Sequence, residues 1–191
     1  MAHACALYVS TATKASLKKL HQAATKLEHA TANLKLVDLF RDEKYARSSV
    51  KLVGTKAELL DAAAAVAKLA HQIVDLTDEP HPAPHPRQGA LDMVAFMPLS
   101  TAKSSELKPE LEECSLLAHE LGDILGRQGL PVLLYGPRRG RSLLATRRLT
   151  SFFESTKSGS QPEPWCTAAP DFGPAGDISP RAGVAIVGAM P

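Results

Sequence analysis

The sequence predicts an α/β fold, a mixed β-sheet with helices packed on one face, and three observations carry that expectation. Short apolar runs of strand length alternate with longer segments whose apolar residues recur every three or four positions. All prolines fall at or beyond Pro80, and Gly54 is the sole glycine before Gly89, so the first 79 residues lack breakers and read as regular structure. The elements then follow in the order βαββαβαβ, that of a split βαβ sandwich.

Taken in order, Cys5–Ser10 is a short apolar run that ends in small polar residues, a strand. Leu17, Leu20, Ala24 and Leu27 follow at helical spacing. Asn33–Phe40 and Ser49–Val53 are strand-like and can pair as a hairpin through the charged connection Arg41–Lys44. Thr55 and Glu58 have the spacing of a capping box, and Leu59, Ala63, Val66, Ala70 and Ile73 then give a helix an apolar face several turns long. Asp78–Gly89 alternates prolines with polar residues, which forbids helix and favours a stiff extended loop. Leu91–Leu99 resumes as a strand. Pro109 suits the first turn of the next helix, whose buried face runs from Leu111 through Cys114, Leu117, Leu121 and Leu125 to a stop at Gly129. Pro131–Tyr135 reads as a strand, Ser142 caps a helix to about Phe153, Ser155–Pro170 is a mobile Ser, Gly and Pro-rich loop, and Gly183–Met190 is the last buried strand. No internal repeat interrupts this order, and residues 1–191 form a single domain.

Composition excludes several classes of function. The chain has 191 residues, 45% hydrophobic, and its 22 Lys plus Arg against 20 Asp plus Glu leave a net charge of +2, with no global field to steer it onto nucleic acid or an anionic membrane. No apolar stretch is long enough to cross a bilayer, because Asp61 and Lys68 interrupt the alanine-rich run. Cys5, Cys114 and Cys166 are odd in number and far apart, which points to a reducing compartment. The segment up to Leu27 is basic, as organelle-targeting segments are, but it has no arginine and already reads as strand and helix, so the expected location is the cytoplasm.

The strongest local signal is His85-Pro86-Arg87-Gln88-Gly89-Ala90-Leu91-Asp92, a histidine and an arginine on a rigid loop that feeds a strand. Histidine can move a proton in either direction near neutral pH, and an arginine can hold a carboxylate through two parallel hydrogen bonds. His81 precedes His85 by four residues, but the intervening prolines prevent the helical geometry of a metal pair, and no metal is expected.

This H-P-R-x-G-A-L-D run resembles the loop of glutamate formiminotransferases, and the resemblance extends along the chain. Tyr45-Ala46-Arg47 with Val50–Gly54 is similar to that family's Arg-containing strand, Leu134-Tyr135-Gly136 to its Tyr-Gly strand end, and Pro170-Asp171-Phe172-Gly173-Pro174 to its Pro-Asp-Phe-Gly-Pro loop. The resemblance covers nearly the whole chain but only the N-terminal subdomain of the family's transferase unit. It implies transfer of a formimino group from formiminoglutamate to tetrahydrofolate, in a groove of which this chain supplies one wall, so that a homodimer or a partner carrying the second subdomain completes it. It implies His85 as the catalytic histidine, Arg87 and Arg47 as substrate-binding residues, and Gly173, Pro174, Pro180 and Gly183 as the frame of the folate-contacting loop. Three departures accompany it: Phe40 stands where the family has an acid, Tyr8–Ala12 replaces its Asn-Phe-Ser-Glu-Gly turn, and Ala175–Ser179 is one residue longer than the usual spacer, with Asp177 and Ile178 where an aromatic is common. These departures leave a second reading open, a catalytically inactive interaction or scaffold protein that retains the fold.

Gly136-Pro137-Arg138-Arg139-Gly140-Arg141-Ser142 forms a basic helix start that also precedes Arg147 and Arg148. Its glycine spacing is one residue short of a P-loop and Arg141 stands in place of the lysine, so the expectation is a solvated helix face, with a folate tail as an alternative occupant. No aromatic stacking platform accompanies the arginines, and nucleic-acid binding is not expected.

Overall fold

The computed structural model describes residues 2–78, 81, 85–99, 108–151, 166, 168–176 and 178–190. Strand β1 (Ala2–Val9) alternates Cys5, Leu7 and Val9 toward one face of the sheet, where they join the main core. The Thr13 hydroxyl accepts from the Ser16 N–H at 3.1 Å and starts helix α1 (Lys14–Ala30), which buries Leu20 and Ala24 on that core.

Strands β2 (Lys35–Asp42) and β3 (Arg47–Thr55) form the expected hairpin, with its turn two residues later than the charge pattern indicates. Local chemistry decides the shift: Asp42 Oδ1 accepts from the Tyr45 N–H at 3.0 Å, and Ala46 takes a left-handed φ of 51° that hands the chain to Arg47. Thr55 ends β3 and begins helix α2 (Lys56–Ile73), where Glu58 Oε2 accepts from the Thr55 N–H at 3.3 Å and from its hydroxyl at 2.6 Å.

Strand β4 (Leu91–Pro98) leads to helix α3 (Lys108–Arg127), which ends as Gly129 turns to a φ of 84° and the Leu130 N–H reaches back to the Leu125 carbonyl at 3.1 Å. Strand β5 (Val132–Tyr135), helix α4 (Leu143–Arg147) and strand β6 (Ala185–Ala189) complete the order βαββαβαβαβ. The string βαββαβαβ is one helix–strand pair short of this order, although the segments read along the sequence include both the helix capped by Ser142 and the strand Gly183–Met190 that correspond to α4 and β6. Helix α4 stops at Arg147 rather than near Phe153. Residues 152–165 and 167, most of the expected loop, lie outside the described residues.

The strands form one six-stranded mixed sheet in the order β2-β3-β1-β4-β6-β5, antiparallel through β4 and parallel from there. Helices α1, α2 and α3 cover one face, where Leu20, Leu52, Leu59, Phe96, Leu117 and Leu121 are fully buried. Each such side chain contributes about 1.5–3 kcal/mol by leaving water. The single-faced arrangement expected from sequence needs one correction: Leu143 of α4 and Leu149 just after it pack on Met93, Tyr135 and Ile186 of the opposite face. Among the described residues that cover lies at the β4-β6-β5 end, the β2-β3-β1 end of the same face is left open, and Phe40 is 54% exposed there.

Candidate functional site

The loop leaving α2 returns to the sheet beside β1, where the Ser10 hydroxyl donates to the Gly89 carbonyl at 2.6 Å. Gly89 is demanded here, because a Cβ would lie 2.4 Å from the Val184 carbonyl oxygen. Strand β4 opens with a β-bulge: Tyr8 pairs with Met93 and Val9 with Leu91, so Asp92 is the extra residue. The bulge turns the Asp92 carboxylate toward the loop and the open face, side by side with Met93.

Arg47, the first residue of β3, meets that carboxylate. Its Nε donates to Asp92 Oδ2 at 3.1 Å, one terminal nitrogen donates to the Tyr45 carbonyl at 3.3 Å, and the other makes a short bond to the Pro86 carbonyl. Asp92 Oδ1 accepts from the Gln88 N–H at 2.8 Å. Arg47 and Asp92 are 7% and 3% exposed, so this ion pair clamps the His85 loop in a place where water competes little.

His85 stands at the edge of a cavity of about 390 Å³ on the open face. Tyr8, Phe40, Ser49 and Met93 come to it from four strands, Tyr45 and Asp42 from the hairpin, and Arg147 from the end of α4. The Tyr45 ring meets the His85 ring edge-on, with centroids 5.4 Å apart. Burial lowers the His85 pKa from its ordinary value, the positive charge of Arg47 lowers it further, and Asp92 opposes both. The imidazole is therefore neutral at pH 7. Its Nδ1 lies 3.2 Å from the Pro86 carbonyl, which can only accept, so Nδ1 carries the proton and Nε2 the lone pair of a general base. By the same argument His81 donates from Nε2 to the His85 carbonyl at 2.6 Å, and burial holds its pKa down at about 4.

The structure thus brings His85 and Arg47 into one cavity, while the other residues singled out from the sequence sit elsewhere. Arg87 is 3% exposed, donates to the Leu76 carbonyl at 3.1 Å and does not line the cavity, so its charge ties the loop to the chain that leaves α2. Gly173 and Gly183 are close-packing points: a Cβ would come within 2.1 Å of the Leu130 carbonyl oxygen at the first and of the Gln88 carbonyl oxygen at the second. Pro174 and Pro180 are surface residues beside them. In the basic patch, Arg138 pairs with Glu112 at 2.7 Å, and Arg139 and Arg141 pair with Asp171 at 2.7 and 2.5 Å. Its arginines are thus engaged within the protein.

Sequence reasoning missed Asp92, Tyr45 and Arg147 as parts of the site. A lone acid inside the apolar run of β4 was the signal for Asp92. Nothing local marks Arg147, which the sequence places in a surface charge run. Among the described residues no group of three or more His, Cys, Asp or Glu is placed to hold a metal ion, and no helix is long and apolar enough to cross a membrane.

The chain is similar in sequence to known proteins. A glutamate formimidoyltransferase of Thermoplasma acidophilum is 36% identical over 161 residues, which is 82% of this chain and 48% of the relative. A formimidoyltransferase-cyclodeaminase of Gallus gallus is 30% identical over 90% of this chain and 30% of its own length, and a glutamate formimidoyltransferase of Streptococcus pyogenes is 32% identical over 81% and 48%. The chain spans half or less of the length of these relatives. The family profile described as the formiminotransferase domain, N-terminal subdomain, matches residues 2–190, and the chain belongs to that family.

Proposed function

We propose that this chain forms one wall of a formiminotransferase site, in which a formimino group passes from formiminoglutamate to tetrahydrofolate. The neutral His85, clamped by the Arg47–Asp92 pair at the edge of an open cavity, is the observation that carries this reading. Nε2 of His85 takes the proton from the attacking folate nitrogen as the new C–N bond forms. The same imidazolium returns a proton to the departing glutamate nitrogen as the old C–N bond breaks. Arg47 holds the loop and adds positive charge beside it. Gly173, Pro174, Pro180 and Gly183 frame the loop that contacts folate in this reading. A second copy or a separate second subdomain supplies the opposing wall, and the protein works in the cytoplasm.

Calorimetric titration of tetrahydrofolate into the purified chain, followed by formiminoglutamate, tests the proposal. Binding with turnover that His85→Ala abolishes supports it; no binding to the folded chain refutes it. A second reading, a scaffold that keeps the fold without the chemistry, draws on Phe40, an exposed aromatic at the cavity where the family has an acid. Ligand separates the two, since binding to the native state alone raises stability by about 2.7 kcal/mol at a hundredfold excess over Kd, and a scaffold shows no rise.

A further inference from the structure

We propose that Ser49 and Tyr8 are specificity-determining residues of the cavity, whose hydroxyls hold the polar edge of a flat, uncharged heterocycle lying on the open face of the sheet. The name of that ring rests on the transfer reading, and its class on the cavity. Strand register carries the placement. Phe40 pairs with Ser49, Ser49 with Tyr8 and Tyr8 with Met93, so one row of side chains crosses β2, β3, β1 and β4, and all four residues line the cavity. Directly opposed residues share a face, and strands about 4.8 Å apart make the row about 14 Å long. Tyr8 and Met93 pack at one end against the cluster that α4 covers, and Phe40 is 54% exposed at the other. Phe40 and Tyr8 are both positions at which this chain departs from the formiminotransferase pattern, so the floor is its own.

Two features of the row select the ligand. The first is unspent hydrogen bonding. Among the described residues neither the Ser49 nor the Tyr8 hydroxyl has a hydrogen-bond partner, although Ser49 is only 6% exposed and lines the cavity. A polar group this buried is costly to leave unpaired, and a hydroxyl can serve as donor or acceptor to a ligand. The second feature is apolar and uncharged chemistry on either side of those hydroxyls. Phe40 and Met93 offer an aromatic ring and a thioether, both of which pack well on a ring face, and no residue of the row carries a charge. The charges that line the cavity belong to Asp42, Arg147 and the paired Arg47 and Asp92, off the row. In the transfer reading the ring is the reduced pterin of tetrahydrofolate, whose pyrimidinone half is flat and carries an amide and an amino group along its edge. The row therefore recognises the folate by its ring, and formiminoglutamate makes no use of these hydroxyls.

The test titrates the full chain with 6-methyltetrahydropterin, the ring alone, and with p-aminobenzoylglutamate, the part of the folate without it. The variants are Ser49→Ala, Tyr8→Phe, the two combined, and the surface control Arg138→Gln. The expected result is that the ring binds, and binds more tightly than the fragment that lacks it. Each single variant should weaken the ring about three- to tenfold, the double variant should weaken it more, and Arg138→Gln should leave it unchanged. In turnover, the double variant should raise the KM for tetrahydrofolate and leave that for formiminoglutamate unmoved, a split that a merely structural loss does not produce. The comparison of the two fragments on the wild type keeps the test decisive if a variant fails to fold. Equal ring affinity in wild type and double variant, a ring-less fragment that binds as tightly as the ring, or no ring binding to the wild type overturns the inference. With no ring binding, a dimer seen by sedimentation and dissolved by Phe40→Glu assigns the row to a second copy instead. Transfer with an unchanged tetrahydrofolate KM in the double variant overturns the floor and leaves the transferase reading standing. Hydroxyl-dependent ring binding without any transfer supports the floor and counts against the transferase.

Discussion

Replacing Asp92 by alanine removes both acceptors of the loop clamp at once. Arg47 Nε loses its 3.1 Å partner and the Gln88 N–H its 2.8 Å partner, and the Arg47 side chain, 8% exposed, is left as a buried charge without its counterion. A whole buried pair is worth little net, because desolvation offsets attraction, but removal of one partner costs about 3–5 kcal/mol. With a urea m-value of about 2 kcal/mol/M, the denaturation midpoint should fall by about 2 M. Asp92→Asn keeps one carbonyl acceptor and should cost less, about 1.5–3 kcal/mol. Urea unfolding followed by circular dichroism reads both. An Arg47→Met, Asp92→Ala double variant removes the orphan charge along with its partner, so its loss should be smaller than the sum of the two single losses by about 0.5–3 kcal/mol. The imidazole supplies a second readout. Asp92 raises the His85 pKa, so in Asp92→Asn the histidine should titrate at lower pH than in the wild type by NMR. A midpoint shift below about 0.5 M for Asp92→Ala, with an unmoved His85 titration, would refute the clamp.

The stability of the fold should decline on the acid side. His81 and His85 are both depressed below the ordinary 6.5, His81 to about 4, so the unfolded chain binds more protons in that window, and the denaturation midpoint should fall as pH drops from about 6.5 toward 4 and hold steady above it. Gly183→Ala and Gly140→Ala place an alanine at the same φ of 67°, but only Gly183 has a carbonyl 2.1 Å from the new Cβ, so Gly183→Ala should be the more destabilising by about 1–3 kcal/mol in thermal or urea unfolding. Ala46→Gly should raise stability by up to about 1 kcal/mol, because relief of the left-handed strain, about 1–2 kcal/mol, outweighs the entropy cost of glycine, about 0.5–1. If the chain transfers formimino groups, Phe40→Glu should speed turnover tenfold or more in single-turnover assays, since a positioned acid or base contributes roughly 10²–10⁴-fold.

What the sequence alone determined about this protein is its local grammar. Periodicity placed α1, α2 and α3, whose apolar faces repeat at 3.6 residues, and turn chemistry placed the stop at Gly129 and the capping box at Thr55. The His85 motif was legible for the same reason: its residues are adjacent in the chain, and alternating prolines make their geometry stiff without tertiary help. Tertiary structure decided the rest. The hairpin turn moved by two residues because an Asp42 side chain and a left-handed Ala46, and not the charge pattern, set the register. Asp92 joined the site because a bulge turns it there, and a bulge depends on how β1 and β4 pair across the sheet. The roles of the arginines show the division most plainly. Arg87 and Arg147 are 60 positions apart and chemically identical, yet one is buried against a carbonyl and the other lines the cavity. An arginine's function depends on which acceptors surround its guanidinium, and those acceptors come from distant segments that only the folded chain brings together.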